Sequence, residues 1–238
     1  MILIFIHYII NNMKIIAVML FSFTSALIFA WIITKKENLS IKPLLYIFLF
    51  SFSAVLISIL IQTAVEFFFF DFLRKADYIK IILFESFAAA ALIEEFTKTV
   101  IFYAFVKFLW SDKITKVDEN LPGEMREQIR ILLFLSILYG LVFASFETLA
   151  YTIREGKFIW ARLFTSNFLH AAFGIYYLQI SMSRKFKKTI LPFFSVWILH
   201  GLYNMFLSMG IFFSVFSYTI VLFLIGNVLR QYDRFKEN

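Results

Sequence analysis

Two adjacent glutamates and a lysine, Glu94-Glu95-Phe-Thr-Lys98, stand inside a long apolar stretch of this chain. Carboxylates and ammonium groups at hydrocarbon depth cost roughly 2.5–3.5 kcal/mol each on insertion scales. A chain that keeps them turns them to a polar interior, pairs them, or uses them in chemistry. On a helix Glu94 and Lys98 are four residues apart and can pair directly, while Glu95 points about 100° round the axis. One carboxylate is then neutralised and the other is presented in a different direction. Three later stretches carry polar groups of the same kind: Glu147 after Phe143; Arg162, Ser166 and His170, spaced by four into one stripe; and His200 with Asn204, one turn apart.

These residue types suit hydrolysis of an acyl bond. A carboxylate acts as general base on water, while imidazole and carboxamide groups stabilise the oxyanion. Alternatively His170, His200 and Glu147 bind a divalent metal such as zinc, with Glu94 or Glu95 as the base, since two histidines and a glutamate form an accepted catalytic zinc set. Other chemistries are disfavoured. The chain has no Cys, no His-Glu-x-x-His helix and no Ser in a Gly-x-Ser context, and Asp71, Asp77, Asp112, Asp118 and Asp233 all fall in expected loops. Purely structural helix pairing, or the polar lining of a transporter, draws on the same residue types.

The elements that must position these groups are membrane helices. Of 238 residues, 61% are hydrophobic and 21% aromatic, and the mean hydropathy is +0.83, beyond the range of ordinary soluble domains. The net charge of +7 sits in short clusters between apolar runs, a pattern that sets membrane topology and does not point to nucleic acid. The reading is an all-α, polytopic membrane protein, one integral-membrane domain with about seven transmembrane helices at 14–33, 43–70, 79–109, 129–152, 158–181, 190–208 and 211–230. A turn at Pro122-Gly123 and a short surface helix at Glu124, Arg126 and Glu127 are expected before the fourth span. Glu66 reads as interfacial or pore-facing, and Met13 is an alternative start that would make His7 dispensable. Lys and Arg number about fourteen on one side of such a bundle and about seven on the other, which puts the N-terminus outside and the C-terminus in the cytoplasm. At about 1.5 Å per residue, the glutamate pair, Glu147, His170 and His200 all fall in the middle-to-outer half of the membrane.

Taken in order, Glu94-Glu95-x-x-Lys98, Phe143-x-x-x-Glu147, Arg162 to His170-Ala-Ala-Phe-Gly174, and His200-x-x-x-Asn204 resemble the motifs of the PrsW-type intramembrane proteases, relatives of the CAAX prenyl proteases and the wider ABI group. The resemblance covers about 81–207, four successive helices, which would form the catalytic core. Lys98 and Glu147 depart from the Arg and His usual in CAAX-type enzymes and look like PrsW instead. The resemblance implies an endopeptidase in a bacterial cell (inner) membrane that cuts a membrane-anchored protein, such as an anti-sigma factor. Glu94 and Glu95 match the essential pair, Lys98 their basic partner, and Glu147, His170, His200 and Asn204 the later motif residues. It leaves both a metal-dependent and a glutamate mechanism open. In the glutamate version one member of the pair activates water, the other pairs with Lys98, and His200 with Asn204 polarises the scissile carbonyl. A non-catalytic scaffold or immunity-type protein and a transporter are the alternative readings.

Overall fold

The computed structural model describes residues 2–110, 123–155, 160–183 and 185–237; within these, the side chains of 2–16, 18, 19, 110, 123–126, 155, 160–164, 211 and 231–237 lie outside the description. The side chains of His7 and Arg162, the expected turn residue Pro122, Asp112 and Asp118 are therefore outside it too. The described residues are helical, with no strand among them. In hydrocarbon only a helix satisfies its own backbone along a single segment, so apolar runs of this length have one good conformation.

The long helices are α1 (Ile2–Glu37), α2 (Ile41–Phe68), α5 (Ile93–Trp110), α6 (Gly123–Glu155), α7 (Trp160–Met182), α8 (Phe186–Ser208) and α9 (Ile211–Glu237). Short α3 (Phe70–Lys75) and α4 (Tyr78–Leu83) connect α2 to a π-helical segment, Phe84–Leu92, which continues into α5. Two residues in the left-handed region mark chain reversals: Asn38 (φ 47°) after α1 and Gly210 (φ 106°) between α8 and α9. Asp77 caps α4 by accepting from the Lys80 amide at 3.0 Å and pairs with its ammonium at 2.8 Å, and Lys80 holds the Asp77 carboxyl below its usual value.

Several boundaries differ from expectation. Residues 2–13 join the first span in one helix. Glu127 and the two charged positions before it are the opening turns of α6 and not a separate surface helix. Asp71 lies on α3 and Asp233 on the end of α9, both helical and not in loops. Among the described residues four helices are long and apolar enough to cross a membrane: Ile41–Phe68, Glu127–Arg154, Phe186–Ser208 and Phe212–Arg230. The expected spans at 14–33 and 79–109 and the described part of that at 158–181 (160–181) are helical without being among those four; 79–109 carries Glu85, Glu94, Glu95 and Lys98 along its length.

The bundle is built round α6. Its span is 78% buried, against 33% for α2 and 22% each for α8 and α9. Leu132, Leu135, Leu138, Tyr139, Val142 and Phe143 of α6 pack with Phe102 and Phe105 of α5 and Phe173 and Tyr177 of α7. Two glycines let α6 and α7 meet backbone to backbone. A methyl group on Gly140 would overlap the His170 carbonyl, and one on Gly174 would overlap the Ser136 carbonyl, the close approach that small residues permit between membrane helices. Outside, Leu49, Leu56, Leu60 and Phe67 of α2 and Phe212, Leu222 and Phe223 of α9 are exposed. Inside, Glu94, Glu95, Lys98, Glu147, His170 and His200 are buried. Large apolar groups outward and charges inward is the pattern of a protein solvated by lipid.

Candidate functional site

The buried charges meet where α5, α6, α7 and α8 face one another. The π-helical turns of 84–92 lead directly into Glu94 and Glu95, and their wider winding resets the angular phase of the residues that follow. Helix α8 clamps this segment: Trp197 Nε1 donates to the Phe87 carbonyl at 2.8 Å, and Gly201 leaves room for the Phe87 ring.

Glu95 is the saturated member of the pair. Its Oε1 accepts from Lys98 Nζ at 2.5 Å and from His200 Nδ1 at 2.7 Å, and its Oε2 accepts from the Tyr177 hydroxyl at 2.6 Å. Lys98 thus pairs with both carboxylates: the i,i+4 ion pair with Glu94 expected from helical spacing is present at 3.7 Å, while the hydrogen bond goes to Glu95, three residues away. Lys98 also reaches His170 Nδ1 at 3.0 Å and lies 4.4 Å from the centre of the Phe143 ring. The Tyr139 hydroxyl donates to the Lys98 carbonyl at 3.1 Å.

For neutral imidazoles these contacts assign the histidine tautomers, because an ammonium only donates. His170 Nδ1 accepts from Lys98, so Nε2 carries the proton and donates to Glu147 Oε2 at 3.0 Å. Ser166 donates to the same oxygen at 3.1 Å. His200 donates from Nδ1 to the Glu95 carboxylate, which leaves Nε2 as an acceptor. That Nε2 stands 3.9 Å from Glu94 Oε2.

Glu94 is the unsaturated member. Its Oε1 accepts from Gln62 Nε2 of α2 at 3.0 Å, while Oε2 is buried with no hydrogen-bond partner among the described residues. Both Glu94 and Glu147 line a cavity of about 300 Å³ between α2 and α6. Val55, Ile59, Phe143 and Ala150 give it apolar walls, and Glu66, Arg154 and Thr63, all exposed, stand at its rim. Glu66 therefore faces a cavity, one of the two environments expected of it.

Of the residues singled out in the sequence, Glu94, Glu95, Lys98, Glu147, His170 and His200 form one connected cluster. Asn204 does not join it. It is half-buried one turn beyond His200, and its backbone carbonyl accepts from Ser208, while its side chain makes no hydrogen bond among the described residues. The side chain of Arg162 lies outside the described residues. Tyr177, Tyr139 and Gln62 complete the cluster and were not singled out. Gln62 stands among other polar residues of α2, such as Ser58, Thr63 and Glu66, and two tyrosines stand among 11, so nothing in the sequence set them apart.

The metal reading changes its ligands. Glu94, His170 and His200 offer atoms within 4.8 Å of one another, so Glu94 takes the place expected for Glu147. Yet both nitrogens of His170 are engaged, one by the Lys98 ammonium and one by Glu147. A cation would have to displace one of those bonds beside a fixed positive charge, so this donor set does not fit a metal as arranged. Two acceptors 3.9 Å apart, Glu94 Oε2 and His200 Nε2, suit a water donating to both.

No protein-family model, curated protein or solved structure matches the chain.

Proposed function

We propose that the chain is an intramembrane endopeptidase that hydrolyses a peptide bond of a membrane-anchored protein with a water activated by Glu94. One observation carries the reading. Glu94, a residue that lines the cavity, keeps a buried carboxylate oxygen with no hydrogen bond among the described residues, 3.9 Å from a His200 nitrogen that is an acceptor in the neutral imidazole. An unsatisfied buried carboxylate oxygen is costly to keep, and its use is a sufficient reason to keep it.

A water donating to Glu94 Oε2 and His200 Nε2 is held with its lone pairs free to attack a carbonyl carbon in the cavity. Glu94 takes one water proton as the C–O bond forms, then delivers it to the amide nitrogen as the C–N bond breaks, leaving a carboxylic acid, which keeps the other water hydrogen, and an amine. Glu95 fixes the His200 tautomer through Nδ1, as a carboxylate does for an imidazole in hydrolytic triads. Lys98, 3.7 Å from Glu94 Oε2, is the nearest permanent positive charge to the developing oxyanion. His200 thus acts by holding water; with Nε2 as an acceptor it has no proton for the carbonyl, and Asn204 has no part.

In this reading seven segments cross a bacterial inner membrane: α1, α2, the rod 78–110, α6, α7, α8 and α9. The excess of Lys and Arg favours an external N-terminus and a cytoplasmic C-terminus. Glu66 near the end of α2 and Arg154 near the end of α6 then lie toward the external face, which favours substrates cut near that face. The motif resemblance to PrsW-type proteases points the same way, with an anti-sigma factor as one kind of substrate.

The test is cleavage of a probe, a single-span polypeptide tagged at both ends and co-reconstituted with the purified chain in lipid vesicles. The expected result is a pair of fragments whose new termini map to the external half of the span, at a rate that a metal chelator leaves unchanged. An intact probe, or cleavage abolished by chelator and restored by zinc, would contradict the proposal. A structural role alone is the second reading, favoured by the saturation of Glu95; it predicts an intact probe.

A further inference from the structure

Helix α2 lies outside the segment that carries the motif residues, yet it supplies the one hydrogen bond made to the Glu94 head group among the described residues, from Gln62 Nε2 to Oε1 at 3.0 Å. A carboxylate has two chemically equal oxygens and a soft terminal torsion, so nothing in Glu94 itself selects which oxygen meets His200. Lys98 competes for it. The four-residue spacing favours a direct Glu94–Lys98 contact, which would pull the carboxylate away from His200. The observed separation is 3.7 Å, with the ammonium hydrogen-bonded to Glu95 and His170 instead. Gln62 comes from the opposite wall of the cavity, on the α2 face that also carries Ser58, Ile59 and Glu66.

We infer that Gln62 is a positioning residue for Glu94: its carboxamide ties down Oε1 from across the cavity and so leaves Oε2 toward His200. This rests on the reading of Glu94 as the base, and it makes α2 part of the working site. It differs from simple helix-to-helix adhesion by a polar pair, because it specifies the state of the second Glu94 oxygen.

The test uses the full chain in detergent with a hydrophobic carbodiimide, dicyclohexylcarbodiimide, as the probe of the Glu94 carboxyl, read by peptide mass spectrometry. Gln62→Met keeps the length of the side chain and removes the donor. Glu94 labelling is expected to accelerate by about tenfold, the factor carried by one hydrogen bond to a charged group, while Glu95 labelling stays unchanged. Ile59→Ala opens the same cavity without touching a carboxylate and is expected to leave Glu94 labelling as it was. Equal labelling of Glu94 in Gln62→Met and the unaltered chain overturns the inference, as does equal acceleration by Ile59→Ala. On the peptide probe, Gln62→Met is expected to lower kcat about tenfold with KM unchanged. Accelerated labelling with no cleavage by any variant would keep the role of Gln62 and remove the protease reading. Unaltered labelling with cleavage at the original rate would do the reverse.

Discussion

Glu94 and Glu95 are chemically identical neighbours on one helix, and the bundle treats them in opposite ways. Glu95 accepts from three side chains on three helices and is closed on every side. Glu94 has one oxygen held by Gln62 and the other buried without a hydrogen bond among the described residues, 3.7 Å from Lys98 and 3.9 Å from His200. A network whose members are all satisfied rigidifies a fold, whereas an oxygen left open in a low-dielectric interior is a reactive group held ready. On the proposed reading the pair divides into a structural carboxylate and a working one.

Substitutions that open the closed side should act first on stability. Glu95→Gln leaves Lys98 buried with its direct counter-charge gone, and a loss of about 3–5 kcal/mol is expected from breaking such a buried pair. Equilibrium unfolding in mixed detergent reads it directly, and a change within experimental scatter would erase the contrast with Glu94. Next comes Gly140→Ala, whose new methyl meets the His170 backbone. Forcing α6 and α7 apart should cost about 1–3 kcal/mol and move His170 off Glu147, visible as a lowered Tm and reduced cleavage together. Tyr177→Phe removes one hydrogen bond to the charged Glu95 and should cost about 1.5–3 kcal/mol while leaving cleavage by the folded fraction nearly unchanged. The smallest effect belongs to Ser166→Ala. Glu147 keeps its bond to His170 there, so about 1 kcal/mol or less of stability should be lost.

Much of this arrangement could be read from the residues. Apolar runs of membrane length identified the helices because hydrocarbon allows a single segment no other backbone, and charged or imidazole groups within such runs identified the cluster because each needs a partner there. Glu94, Glu95, Lys98, Glu147, His170 and His200 do converge. Which carboxylate takes the Lys98 hydrogen bond was not legible, since both spacings put a carboxylate within reach. The choice follows from the π-helical turns just before the pair and from His170 and Tyr177 arriving from α7. Asn204 shares a face with His200 on paper, yet one turn along α8 is enough to carry it clear of the cluster. The contribution of α2 was hidden for a different reason: one Gln among the polar residues of that helix has meaning only once the helix opposite is known. Residues 2–13 and the opening of α6 were misjudged because a helix continues past the membrane wherever no cap or proline stops it.

The central claim is that Glu94 works while Glu95 supports, and Glu94→Gln tests it most directly. The variant keeps shape and volume at a position that already lacks one partner. Cleavage of the tagged single-span probe and thermal unfolding would be measured on the same purified sample. The account predicts that cleavage falls by about a thousandfold, within the range for losing a general base, while Tm stays within a few degrees of the unaltered chain. Cleavage that persists at the original rate with the fold intact would contradict it.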